Sequence, residues 1–356
     1  MNTSLGSKNT GLLTALQAHF KGDINGARVR LICLFITALC KLKAINYDRL
    51  ASAFDVNIKK RSSYRRIQRF MAESDLPMKM ISTLIFSLLP EKHYLALVLD
   101  RTNWKFGSKN INILMLGVSY KNVAFPLMFT MLDKRGNSST PERIELLGKY
   151  MDWFGKETIN CLLADREFIG DDWLKFLTDH GIAYHIRIRN NFKVYSYQRQ
   201  DEIDASWLFN HFKMNELYHY PKIVRMHGQD CYLSGCKIIN REGKREYLMV
   251  VSFNKPERAL AYYRKRWQVE SLFRALKTSG FNIEDTHVTD LERLFLLTMI
   301  AFVWCYRIGD FIDENIEKIK NKKYGLDYLS RFLLNSFNSL ELKIFDFLSC
   351  TLEKVV

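Results

Sequence analysis

The stretch AYYRKRWQVESLFRALK, residues 261–277, sets the reading of the whole chain. Tyr263, Arg266, Glu270 and Lys277 follow one another at intervals of three, four and seven residues. Those intervals are close to whole turns of a helix with 3.6 residues per turn, so on one continuous helix the four would share a face. That face carries a carboxylate flanked by a phenol and two cations, the outline of a surface for phosphodiester chemistry. One Glu cannot by itself hold the divalent ions such chemistry uses, so the acidic partners must come from elsewhere in the chain.

Two Asp residues stand where apolar runs stop. Asp100 follows Leu95-Ala96-Leu97-Val98-Leu99, and Asp165 follows Cys161-Leu162-Leu163-Ala164. An unpaired carboxylate at the edge of a hydrophobic core is costly, so each needs a cation or a metal beside it. The plainer alternative is that each caps a turn or pairs with its neighbour, Arg101 or Arg166. Glu167, Asp171 and Asp172 are rival acids nearby, and Glu167, two residues beyond Asp165, would face the same side of an extended chain. Asp165 is preferred because the apolar run ends there.

The surrounding texture orders these acids. Residues 94–99, 111–120 and 123–132 read as three apolar strands joined by short polar turns, an antiparallel meander. A helix over 141–154 follows, with Thr140 as its cap and Glu142 in its first turn, then a strand at 159–164, a helix at 171–180 and a strand at 183–188. The order β-β-β-α-β-α-β fits an α/β class of ribonuclease-H-like type: a mixed sheet with helices on both faces, in which the first and fourth strands are neighbours. Asp100 and Asp165 would then lie side by side, and Glu270 would arrive on a later helix. Three carboxylates suit two Mg2+ ions, with Mn2+ as a possible substitute.

The expected domains are a helical DNA-binding domain over 1–90, the first part of the catalytic core over 91–189, a β-rich insertion over 190–253, the Glu-bearing remainder of the core over 254–289, and a helical region over 290–356. Within the first, Asn46 caps a short helix at 47–54, Asp55-Val56-Asn57 forms a turn, and residues 59–72 form a second helix crowded with Lys59, Lys60, Arg61, Arg65, Arg66 and Arg69. This resembles a helix-turn-helix whose second helix grips DNA phosphates, although a solvated basic helix would show the same composition.

A formal charge of +15 over 356 residues, from 53 Lys and Arg against 38 Asp and Glu, points to a polyanionic partner, nucleic acid before a membrane surface. The apolar run 294–306 is short for a bilayer span and suits a buried helix. The first ten residues lack the apolar segment of a signal peptide. Seven scattered cysteines suit reduced core thiols in a cytoplasm. Cys231 and Cys236 form a lone C-x4-C pair, which fits strand packing better than zinc.

With these residues in place the chain resembles the DDE transposases of bacterial insertion sequences, in particular the group with the Y-x2-R-x3-E-x6-K signature, which Tyr263, Arg266, Glu270 and Lys277 match at every position. The resemblance spans roughly residues 90–290. It implies a DDE triad of Asp100, Asp165 and Glu270 that holds the metal ions and cuts the element's ends. The freed 3'-hydroxyls then join target DNA, often after a hairpin intermediate. It implies that Tyr263, Arg266 and Lys277 hold terminal DNA phosphates, with Trp267 either stacking on a displaced base or lying in the core. Trp104 is weighed in the same way. The implied partners are double-stranded DNA, as terminal inverted repeats and as target, and a second copy of the chain. A ribonuclease-H-like nuclease without strand transfer, or a DNA-binding protein that has lost catalysis, would use the same features.

Overall fold

The computed structural model describes residues 10–42, 44–54, 58–106, 109–121, 123–240, 242–277, 280–285 and 290–315. The chain divides into two compact units: Met1–Pro90, Trp104–Lys109 and Phe273–Val356 in one, Glu91–Asn103 and Asn110–Leu272 in the other.

The first unit is helical. It contains α1 (Thr10–His19), α2 (Gly26–Leu42), α3 (Tyr47–Ser52), α4 (Lys60–Glu73), α5 (Met78–Ser87) and α10 (Leu291–Asn315). Asn46 starts α3 as expected: its side chain accepts from the backbone amides of Asp48 and Arg49 at 3.0 and 3.1 Å. The turn at 55–57 lies outside the described residues. The apolar run 294–306 belongs to α10, a longer helix than its composition suggested. Residues Leu291–Phe311 are long and apolar enough to cross a membrane, but most of that length is buried inside the protein, as for a core helix. It packs against α2 and α5, and Arg293 donates to the backbone carbonyl of Met71.

The second unit is built on a mixed sheet. Its strands, apart from Trp104–Phe106 of β1 and Lys109 of β2, which fall in the first unit, are β1 (Leu95–Phe106), β2 (Lys109–Tyr120), β3 (Val123–Met131), β4 (Ile159–Ala164), β5 (Tyr184–Ile188), β6 (Lys193–Ser196), β7 (Asp201–Asp204), β8 (Tyr218–His219), β9 (Val224–Met226), β10 (Gln229–Ile239) and β11 (Arg245–Ser252). They are ordered β3-β2-β1-β4-β5-β11-β10-β9-β6-β7, with β8 on β10. The β1–β4 and β4–β5 pairs are parallel, whereas β2–β3 and β5–β11 are antiparallel. The order 3-2-1-4-5 with this mixture of directions is the ribonuclease-H-like arrangement expected from the sequence. The later strands do not form a separate sheet, because β11 adds to β5 and carries the same sheet onward.

Helices α6 (Thr140–Phe154) and α7 (Asp171–Asp179) make the crossovers between β3, β4 and β5. Ser139, not Thr140, caps α6: its backbone N–H donates to the Glu142 carboxylate at 2.6 Å, the reciprocal bond of a capping box. The crossing helix α8 (Pro256–Arg264) packs on β4, β5, β10 and β11, burying Ala259, Leu260 and Tyr263 with Cys236, Leu248 and Val250. Cys231 and Cys236 are buried in this strand packing, and the Cys231 thiol donates to the Val224 carbonyl.

Candidate active site

The parallel ladder between β1 and β4 ends at the pair Leu99 and Ala164, and the residues after them are Asp100 and Asp165. The sheet register therefore sets the two carboxylates beside one another. Asp100 does not end its strand, because β1 runs on to Phe106, with Thr102 and Trp104 buried in alternation along that extension.

The signature stretch is not one helix. Tyr263 lies on α8, Arg266 in a 3-10 turn at Lys265–Trp267, and Glu270 and Lys277 on α9 (Gln268–Lys277). The tighter turn breaks the simple four-residue face, and it carries Arg266 into the protein, where only 5% of the residue is exposed. Gln268 anchors the start of α9, accepting from the Ser119 hydroxyl at 2.9 Å and donating to the Lys121 carbonyl at 2.5 Å. Buried Val269 and Leu272 fix the rotation of the helix, which leaves Glu270 on its exposed side.

Arg266 is the hub. Its Nη1 donates to Asp100 Oδ2 at 2.9 Å, its Nη2 to Glu270 Oε1 at 2.9 Å, and its Nε to the Tyr263 hydroxyl at 3.1 Å. The Tyr263 hydroxyl in turn donates to Asp165 Oδ1 at 3.2 Å. All three acids named from the sequence thus meet one guanidinium, two directly and Asp165 through a phenol. Burial pushes the Asp100 carboxyl up to about 6; the Arg266 charge and the Arg101 amide pull it down, while Asp165 and Glu167 add to the rise. Burial alone would lower the Arg266 pKa, but Tyr263 and the acids outweigh it and hold the group firmly charged. Burial raises the Tyr263 phenol well above its usual range, so the group stays a neutral donor.

The side chains of the neighbouring arginines do not pair with Asp100 and Asp165. Arg101 and Arg166 give Asp100 and Asp165 only their backbone amides, at 2.7 and 2.8 Å. The Arg101 side chain grips Glu167 through Nε and Nη2 at 3.1 and 3.2 Å, and also reaches Asn112 and Asn137. Arg143, buried over the Phe168 ring, donates to the Ser138 and Glu167 carbonyls. Glu167 is therefore engaged in a second arginine cluster, whereas Asp165 faces the hub. The roles of Gln268, Arg101 and Arg143 carried no signal in the sequence, since each depends on a contact across dozens of residues.

Tyr263 is fully buried, so its hydroxyl serves the acids and not the solvent. Trp267 is 50% exposed and is not a core residue. Lys277 and Trp104 are in the first unit, where the Lys277 ammonium lies 5.2 Å from the Trp104 ring centre and 3.3 Å from Glu284. Lys59, Lys60, Arg61 and Arg65 are exposed and Arg66 is partly covered; Lys60 pairs with Asp48 at 2.6 Å.

The three carboxylates are hard oxygen donors of the kind a divalent cation takes. As they stand, Arg266 supplies their positive charge, and among the described residues no three His, Cys, Asp or Glu side chains are grouped tightly enough to hold an ion. The donor chemistry fits a cation, provided that the guanidinium yields its place.

The ribonuclease-H-like sheet thus carries two Asp at the end of its parallel β1–β4 pair, with a Glu brought beside them by a later helix. The family of the Transposase DDE domain matches residues 133–307, just under half of the chain. The match includes Asp165, Tyr263, Arg266, Glu270 and Lys277 and begins after Asp100. It supports a DDE transposase, a DNA-cleaving and strand-transferring enzyme of a family that uses divalent metal ions. No curated protein matches the chain. Among solved structures the chain is similar to a piggyBac transposase in a synaptic complex with hairpin DNA, determined by cryo-EM, with 15% identity, a TM-score of 0.43, and coverage of 94% of this chain and 77% of that one.

Proposed function

We propose that the protein binds the terminal inverted repeats of an insertion element of the Y-x2-R-x3-E-x6-K group and moves it by cut-and-paste transposition, with Asp100, Asp165 and Glu270 as the DDE triad. The observation that carries this reading is the convergence of all three acids, drawn from two strands and a distant helix, on the single buried guanidinium of Arg266. A structural ion pair needs one carboxylate for one arginine. A site that gathers three acids holds an excess of negative charge, which suits an ion more positive than a guanidinium.

Asp100, Asp165 and Glu270 would hold two Mg2+ ions, or Mn2+ in their place. Bound ions would supply charge to neutralise the phosphate and to activate a water or a 3'-hydroxyl as nucleophile. Asp100 and Asp165 are held in register by the β1–β4 ladder, which fixes the acceptor oxygens before DNA arrives. Arg266, once released from Asp100 and Glu270, is placed to donate to the phosphate at the cut, with Tyr263 retaining the Asp165 contact. In the second unit the exposed Trp267 joins Arg266 as a DNA contact; in the first unit Lys277 is a further DNA contact, and Lys59, Lys60, Arg61, Arg65 and Arg66 contribute to end recognition. The working species is a homodimer that bridges two ends, in the cytoplasm and on the nucleoid.

The test uses duplexes that carry the repeats flanking the gene, with Mg2+. Asp100→Asn, Asp165→Asn and Glu270→Gln should each lower cleavage by ~10^3-fold or more while leaving repeat binding within a few-fold. Full cleavage by any one of them removes that acid from the triad. Cleavage without joined products would leave a nuclease in place of a transposase.

A further inference from the structure

The helical unit contains an open groove of about 210 Å3 between the start of α2 and one side of α4, lined in part by Asn25, Arg28, Arg66, Arg69, Phe70 and Glu73. Three of those groups are guanidiniums, set against a single carboxylate. Among the described residues none of the three guanidinium groups has a hydrogen bond or an ion pair, whereas Lys60 on the same helix pairs with Asp48. The end of α2 is not itself the anion site, because Asn25 Oδ1 already accepts from the amides of Ala27 and Arg28 at 2.7 and 3.4 Å. The positive charge in the groove comes from the side chains.

The helical period separates this groove from the rest of the basic helix. Arg66, Arg69 and Glu73 follow one another at three and four residues and lie on one side of α4, while Arg61, Arg65 and Gln68 repeat at the same intervals on another. Buried Ser63, Ile67 and Phe70 form the side packed into the unit. The helix therefore offers two basic sides, one flat and exposed and one folded into a concavity with Arg28 of a second helix.

We propose that this groove is a clamp for one backbone phosphate of DNA, and that Arg66 belongs to it, apart from the exposed Arg61 and Arg65 side. Three guanidiniums from two helices can share the oxygens of a single phosphodiester, which suits Arg because its planar fork donates two parallel hydrogen bonds. The clamp sets the register of α4 on the duplex and reads no bases. This inference rests on the DNA-binding reading above.

The full chain is titrated with a terminal-repeat duplex and with an unrelated duplex of equal length over a range of salt. The double variant Arg28→Gln with Arg69→Gln should bind both duplexes more weakly by a similar factor, about tenfold, and the log–log salt slope should shrink by about 1. Both arginines are exposed, so folding is preserved, and a thermal melt verifies it. An unchanged slope, or a loss confined to the repeat duplex, overturns the clamp while wild-type binding upholds the DNA reading. If the wild type binds neither duplex, the DNA reading falls and the clamp with it. Calorimetry with pyrophosphate covers the other source of phosphate: heat lost in the double variant with an unchanged DNA slope would make the groove a small-anion site and overturn the clamp.

Discussion

Arg266 and Asp100 stand 166 residues apart in sequence, yet their Nη1 and Oδ2 atoms are 2.9 Å apart in a nearly closed interior. The same guanidinium also holds Glu270, so one cation neutralises two of the three acids a divalent ion would need. An ion entering the site must compete with it. Arg266→Gln keeps a donor for the Tyr263 hydroxyl but removes the charge. The free variant should therefore bind Mn2+ about tenfold more tightly than the wild type, ~1.4 kcal/mol, while cutting DNA poorly. Calorimetry without DNA measures this, and Arg266→Lys, which retains the charge, should stay near wild type. An equal Mn2+ affinity in wild type and Arg266→Gln would show that the guanidinium does not guard the site.

Asp165 and Glu167 separate by what they touch. Asp165 receives the Tyr263 hydroxyl, and Glu167 receives both nitrogens of the Arg101 fork. Asp165→Asn should abolish cleavage with little loss of stability. Glu167→Gln should do the reverse, costing ~1–3 kcal/mol in urea denaturation by weakening a partly buried bidentate pair, yet leaving cleavage within roughly tenfold. If Glu167→Gln were the inactive variant and Asp165→Asn the active one, the second Asp of the triad would be misplaced by two residues.

How far this site could be read from sequence follows from the range of each signal. The end of an apolar run marks where a strand loses its hydrophobic partners, so Asp100 and Asp165 were visible locally, and the β1–β4 register then set them side by side. The strand beyond Asp100 leaves a weaker mark, because Thr102 and Trp104 alternate with polar residues and lack the dense apolar texture of the run before them. The break in the signature helix left no mark either, since residues 261–277 contain neither Gly nor Pro and their spacing fits a continuous helix. The addition of β11 to β5 depends on backbone pairing between distant segments, and a pattern of short alternating strands does not say which sheet they join.

Gly117 offers a test of the sheet itself. It sits where the β2–β3 register shifts, and a Cβ added there would lie 2.8 Å from the Phe125 carbonyl oxygen. That oxygen belongs to the backbone and cannot rotate away. Gly117→Ala should cost ~1–3 kcal/mol, as overpacking does, seen as a lower urea midpoint with an unchanged slope. A wild-type midpoint would mean that the β2–β3 hairpin can slide to admit a methyl group.

His185 gives the second unit a defined weakness toward acid. It is buried in β5, stacked on Tyr262 with ring centres 4.9 Å apart and planes 5° from parallel, and its Nδ1 has no hydrogen-bond partner among the described residues. Burial, aided by the charge of Lys255, lowers its pKa from 6.5 to about 4. Protonation therefore favours the unfolded chain, where the imidazole accepts a proton at its ordinary value. The stability tied to the neutral ring is complete above 6.5 and is lost as the pH falls from there through about 4. Between about pH 7.5 and about pH 4.5 the loss should be ~2–3 kcal/mol from this residue. His185→Phe keeps a flat ring against Tyr262 and removes the titration. Its urea stability should fall less than that of the wild type over the same interval, by that amount. Parallel pH profiles for the two proteins would mean that His185 is already protonated, or reached by water, in the folded state.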